Sequence, residues 1–111
     1  MSDLAARDCI PCRGGVAPLD GAGIAPLKSQ LDPDWKVVDG HHLARTFRFE
    51  NFAEALQFTD RVGAMAEEQS HHPDLHLAWG RVTVEIWTHK IDGLHESDFI
   101  FAARCDALFA E

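Results

Sequence analysis

The sequence predicts an α+β fold: a four-stranded antiparallel sheet with three helices packed on one face, in the order α-β-β-α-β-β-α. Three observations carry it. Asp39-Gly40 is a tight hairpin signal between two short β-rich runs. Residues 52–70 repeat apolar side chains at helical period over a stretch long enough for the longest element. Residues 81–89, RVTVEIWTH, alternate apolar and polar side chains at period two.

The elements follow in order. Residues 1–18 read as a loosely ordered N-terminal tail, and residues 19–111 as a single domain, since 111 residues leave no room for a second core. Asp20 is placed to cap a helix over residues 21–31, with Ile24, Leu27 and Leu31 on one side. Its glycines weaken it, so packing has to hold it. Residues 35–38 and 43–50 are the arms of the first hairpin. Leu43, Phe47 and Phe49 alternate with Ala44, Thr46 and Arg48, while Arg45 interrupts the apolar face and suggests proximity to the sheet edge. Asn51 caps the long helix, whose face comprises Phe52, Ala55, Thr59, Val62, Ala66 and Gln69, joined by Leu56, Phe58 and Met65. Pro73 bars its continuation and is expected to end it near His71. Residues 75–79 and 81–89 form a second hairpin at Gly80. Asp92-Gly93 then turns into a last helix over residues 96–109 that buries Phe99, Ile100, Ala103 and Leu108. Thr46, Arg48, Thr83, Glu85 and Trp87 are left on the second sheet face. Covering Trp87 calls for a partner subunit or the chain's own tail.

Composition narrows the function. Ten Lys and Arg against eighteen Asp and Glu give a net charge of −8, which repels phosphate backbones and anionic lipid and argues against nucleic-acid or membrane partners. No apolar run approaches the roughly 20 residues that cross a bilayer. The N-terminus has no secretory character, so a cytoplasmic location is expected. Cys9 and Cys12 form a CxxC in a Pro/Gly-rich stretch, without the second pair of a zinc ribbon or the strand-to-helix setting of a redox motif. An inert or loosely redox-sensitive tail is expected. No phosphate loop, GxGxxG or GxSxG is present.

Seven histidines are the compositional oddity. His71 and His72 stand where the long helix stops, and a helix C-terminus favours protonated imidazole. Glu67 and Glu68 lie four residues earlier, within reach of one ring each if the last turn stays helical. His89 follows at a strand end. Three imidazoles around one pocket supply a proton donor, a proton acceptor and a positioning group. Zinc held by His71, His72 and His89 is the rival reading. Adjacent histidines seldom aim at one ion, and no HExxH-like spacing occurs, so no metal is expected. His41, His42, His76 and His95 read as turn or surface residues.

The stretch EEQSHHPDLHLAWGRVTVEIWTHKIDGLHESD, with Trp35 in DWKVVDG upstream, resembles the pterin-4a-carbinolamine dehydratases, also known as dimerisation cofactors of a homeodomain transcription factor. The resemblance runs from about Cys9 to Phe109. Glu67, His71, His72, Pro73, Trp79, His89 and Asp98 fall at the family spacing. It implies a cofactor-free site, a pterin substrate, and homo-dimers or homo-tetramers. It further implies that His71, His72 and His89 are catalytic, that Glu67 and Pro73 belong to the acidic His-His-Pro motif, that Asp98 orients a histidine and that Trp35 is a pocket aromatic. The implied reaction is dehydration of a 4a-hydroxytetrahydropterin to the quinonoid dihydropterin, in tetrahydropterin recycling. This chain departs from the family in having His95 where Ser or Thr usually caps the last helix. Two other readings remain: a non-catalytic module that stabilises a partner's dimer, and a pterin-binding regulator without turnover.

Overall fold

The seven expected elements form in the expected order. The computed structural model describes residues 4–10 and 14–111. In it α1 spans Gly21–Lys28, β1 Lys36–Val38, β2 His42–Arg48, α2 Phe52–Gln69, β3 Asp74–Ala78, β4 Arg81–Ile86 and α3 Glu96–Ala110, with 3₁₀ turns at Leu4–Ala6 and His89–Ile91. The sheet order is β1-β2-β4-β3 and every neighbour pair is antiparallel. At the first hairpin Asp39 (φ 54°) and Gly40 (φ 65°) both adopt the left-handed conformation that a tight turn needs.

The two central strands set the core. Register pairs Leu43 with Ile86, Arg45 with Val84 and Phe47 with Val82, so these six side chains share the inner face under the helices. The helix α2 contributes Ala55, Phe58, Val62, Met65 and Ala66 to that core. Phe52 and Leu56, expected on the buried face, are instead exposed at the rim of the first turns.

The last helix is buried on more than one side, with Phe99, Ile100, Phe101, Ala102, Ala103 and Cys105 all inside. The reason is the N-terminal segment. Where a loose tail was expected, Leu4 is buried in the core and the 3₁₀ turn packs on α3. Arg104 donates to the Arg7 carbonyl (2.8 Å) and to Asp8 (2.9 Å), and Arg7 pairs with Glu96. An apolar anchor and several polar ties together offset the entropy of ordering so short a segment. Cys12 lies outside the described residues, as therefore does any pairing within the CxxC.

Two further expectations are corrected. Asp20 caps α1 through Gly23 N–H (2.9 Å), but the helix ends at Lys28. Pro26 removes one internal donor, and Gln30 and Leu31 close with three-residue turns (both 3.1 Å) that bring Leu31 into the core. Arg45 is not at the sheet edge. It sits on a central strand, 8% exposed, with its guanidinium 2.6 Å from Asp106 and 3.6 and 3.7 Å from Asp32 and Asp34. It also lies 4.3 Å over the Phe47 ring. Burial holds the Asp106 carboxyl above its ordinary value, opposed by hydrogen bonds from Trp35 and Arg45. Replacing Arg45 by alanine leaves that carboxylate facing an apolar core. The loss expected in urea unfolding is about 2–3 kcal/mol, at the low end for a buried pair because Asp32 and Asp34 are solvated.

Candidate active site

His71, His72 and His89 line one cavity of about 310 Å³, a size suited to a small bicyclic ligand. Gln69, Ser70, Thr88 and Lys90 complete its polar rim, and Cys9 and Ile10 of the N-terminal segment form the remaining wall.

The first two histidines owe their positions to the end of α2. Ser70 is left-handed (φ 53°, ψ 38°), its N–H bonds the Glu67 carbonyl (3.3 Å), and His71 N–H reaches back to the Ala66 carbonyl (3.2 Å). This pair of bonds is a Schellman closure. The chain therefore leaves the helix at Ser70, before Pro73 can act, and both rings project past the last turn. The unwinding also changes the pairing expected of an intact helix. Glu67 bonds His72 rather than His71, while His71 turns inward and bonds Asp98 (2.6 Å). Glu68 makes no such contact with His72 among the described hydrogen bonds.

Asp98 organises the floor. It is fully buried in the first turn of α3 and accepts from His71 Nε2, Thr88 Oγ1 (2.9 Å) and the His95 backbone N–H (2.8 Å). The last of these supplies the reciprocal half of a capping box, so α3 starts firmly although His95 is a poor capping residue. His95 Nδ1 is buried without a hydrogen-bond partner. An ionised carboxylate only accepts, so His71 carries its proton on Nε2 and keeps Nδ1 for other work. The same reasoning applies to His72 and Glu67.

His89 comes from a different setting than expected. The strand ends at Ile86, because Thr88 forms an isolated bridge with Gly93 (Thr88 N–H to Gly93 carbonyl, 2.8 Å) that turns the chain away. His89 opens the 3₁₀ turn that follows. Its ring stacks on Trp87, centroids 4.4 Å apart at 30°. Trp87 is half-buried, flanked on the sheet's open side by His41 and His42 at 5.3 and 5.7 Å. His41 is in turn tied to Asp92 (2.8 Å). Trp87 is thus partly covered by the chain's own imidazoles, a contact that sequence reasoning missed because residues 41 and 42 read as turn polarity.

The other site candidates stand outside the cavity wall. Glu67 and Asp98 meet the cavity only through the rings they bond, His72 and His71. Pro73 follows the histidines into β3, and exposed Trp79 (70%) occupies the β3–β4 turn. Trp35 is not a pocket aromatic here. It is completely buried, packs edge-on against Phe47 (6.0 Å) and donates its indole N–H to Asp106 (2.9 Å). Among the described residues no group of three or more His, Cys, Asp or Glu side chains is arranged to hold a metal ion. No helix among them is long and apolar enough to cross a membrane.

Cys9 is wall rather than nucleophile. Burial pushes its thiol up to about 11, with Arg104 opposing. A thiol raised in the folded state contributes stability that is complete below its unfolded value and is lost between about pH 9 and 11. Alkylation of Cys9 by iodoacetamide, resolved by fragment mass spectrometry, is expected to accelerate about tenfold per pH unit up to pH 11 rather than level off near 9.

Known proteins resemble this chain in sequence and in fold. The model of the family described as pterin 4 alpha carbinolamine dehydratase matches residues 17–108. A relative from Rubrobacter xylanophilus, bearing that family name, is 59% identical over 108 residues, covering 97% of this chain and all of its own. One from Alkaliphilus metalliredigens, similarly named, is 52% identical over 96% of both chains. Among solved structures, a transcriptional coactivator/pterin dehydratase from Brucella melitensis superposes with a TM-score of 0.76 at 32% identity, covering 82% of this chain and 97% of its own. A pterin dehydratase-like protein described as a RuBisCO assembly factor in the alpha-carboxysome gives 0.60 at 26% identity, over 70% and 92%.

Proposed function

The chain belongs to the pterin 4 alpha carbinolamine dehydratase family, and on that premise we propose that it dehydrates a 4a-hydroxytetrahydropterin to the quinonoid dihydropterin by histidine acid–base catalysis, serving tetrahydropterin recycling. The observation that carries the reading is the convergence of His71, His72 and His89 on one cavity from two separate segments.

The reaction breaks the C4a–O bond and removes the proton on N5. A protonated imidazole gives its proton to the departing hydroxyl, which leaves as water, and a neutral imidazole takes the N5 proton as the new double bond forms. Two rings with opposite protonation states are needed, and neighbouring carboxylates are the means of distinguishing them. His71 is the ring held most firmly, since Asp98 is buried and itself held by Thr88 and the α3 backbone. With Nε2 committed to Asp98, Nδ1 is the atom left to exchange a proton with substrate. His72 is more exposed and keeps Glu67 as its partner. Trp87 limits rotation of His89 by stacking on it. These groups require no cofactor.

A second reading has support in the names of the solved neighbours, one a coactivator as well as a dehydratase and the other an assembly factor. In it the fold holds a partner's subunits together and turnover is absent. All three histidines standing on one cavity favours catalysis, because a scaffold has no use for that convergence. We further propose that the chain works as a homo-oligomer. The deciding experiment generates the carbinolamine in situ and follows the quinonoid product. Acceleration by wild type, unchanged by a chelator, supports the dehydratase. No acceleration supports the scaffold, and loss on chelation supports a metal enzyme.

A further inference from the structure

We infer that the N-terminal strap, residues 4–10, is a substrate-positioning wall of the site, with Ile10 as its specificity-determining side chain. The inference rests on the pterin reading above.

Three observations lead to it. The cavity's polar groups all lie on the α2 end and the turn after β4, and those segments present three imidazoles, two hydroxyls, an amide and an amine. A flat heterocycle also needs an apolar surface against one of its faces, and Ile10 with the thiol of Cys9 supplies it. Second, the strap is pinned next to the cavity on both sides. Gln69 Oε1 accepts from Cys9 N–H (2.7 Å), while Ser97 Oγ accepts from Ile10 N–H (2.8 Å) and donates to the Ile10 carbonyl (3.0 Å). Ser97 is buried in the first turn of α3, one residue before Asp98, so the element that aims His71 also fixes the wall. Third, Ile10 is 57% exposed although its backbone is doubly bonded. Such an arrangement holds an apolar side chain in the open beside the cavity, where ligand rather than core completes its burial.

The wall touches substrate without taking part in proton transfer, so it acts on binding. A contact made equally in ground and transition states changes KM and leaves kcat alone. Ile10→Ala is expected to raise KM about threefold to fivefold, and Ile10→Asp, which sets a charge against the ring, more than tenfold, with kcat within twofold of wild type. Ser97→Ala unhooks the strap without altering any cavity side chain and is expected to raise KM in the same direction. Because Ile10 is exposed, its variants should melt with wild type, and circular dichroism checks this.

The test pairs steady-state kinetics with calorimetric binding of a stable tetrahydropterin that lacks the 4a-hydroxyl. A Kd that rises with KM across Ile10→Ala, Ser97→Ala and Ile10→Asp supports the wall. Ile10→Asp binding the tetrahydropterin as tightly as wild type overturns it while leaving the dehydratase reading intact. A wild type that neither binds the tetrahydropterin nor turns over the carbinolamine overturns both, and so marks failure of the underlying reading.

Discussion

Replacing His89 by alanine is expected to lower kcat by about 100-fold or more, with KM changed much less. Proton transfer by a positioned side chain contributes roughly 10²–10⁴-fold, and removing one member of a coupled set forfeits most of that. His89 is exposed, in a 3₁₀ turn, with no core role, so the variant should fold and the loss should be chemical. His72→Ala is expected to behave alike, since His72 is also exposed and its partner Glu67 is solvated. The double variant then discriminates. If the rings serve one reaction step, it falls little below either single variant. Independent contributions would multiply instead. Trp87→Leu provides a graded companion, because losing the stacked indole frees the His89 ring without removing it. A severalfold fall in kcat with a changed pH–rate profile is the expected mark of positioning.

Asp98 carries the second large effect, on stability as well as rate. Alanine there removes the acceptor for His71, Thr88 and the His95 backbone at once, inside a site with no solvent access. Each orphaned buried donor costs about 1–3 kcal/mol, so a loss of about 4 kcal/mol in urea unfolding is expected after partial relaxation. Asp98→Asn separates structure from chemistry. It keeps the volume and one acceptor oxygen, but its amide opposes a donor already in place. His71 is then driven to carry its proton on Nδ1, the atom facing the reaction. A fall in kcat of about 100-fold with a stability loss nearer 2 kcal/mol is expected. Equal activity of Asp98→Asn and wild type would show that the His71–Asp98 bond only holds the fold together.

Much of the fold was legible because local signals agreed with each other. Asp39-Gly40, Asn51 and the alternation in β4 each named an element whose core face then matched its neighbours, as in the Leu43–Ile86 and Phe47–Val82 pairs. The errors have physical causes. Ser70 gave no sign that it would take the left-handed position, because a serine is an uncommon helix terminator of that kind. The helix was therefore carried on to about His71, and Glu67 was matched to the wrong ring. Arg45 was placed at an edge because a charge on an apolar face suggests one. Its three carboxylate partners are separated from it in sequence by up to 61 residues, and no local pattern announces them. Trp35 was expected at the pocket from the resemblance alone, but it is buried in the core, where Asp106 satisfies its N–H. The histidines themselves were identifiable from the HHP step and the Thr-His pair. Cys9 and Ile10 were not, since a Pro/Gly-rich tail carries no signal of docking. Only Leu4, as an anchor, and the ties to Arg104, Gln69 and Ser97 show why it packs.

The convergence of three imidazoles on one ligand is tested most directly by NMR of the protein with labelled histidine rings, titrated with a stable tetrahydropterin. His76, paired with Glu85 on the open sheet face, serves as the reference. The ring signals of His71, His72 and His89 are expected to move together and saturate at one ligand per chain while His76 stays fixed. Movement of His71 and His72 with His89 unchanged would contradict a shared site.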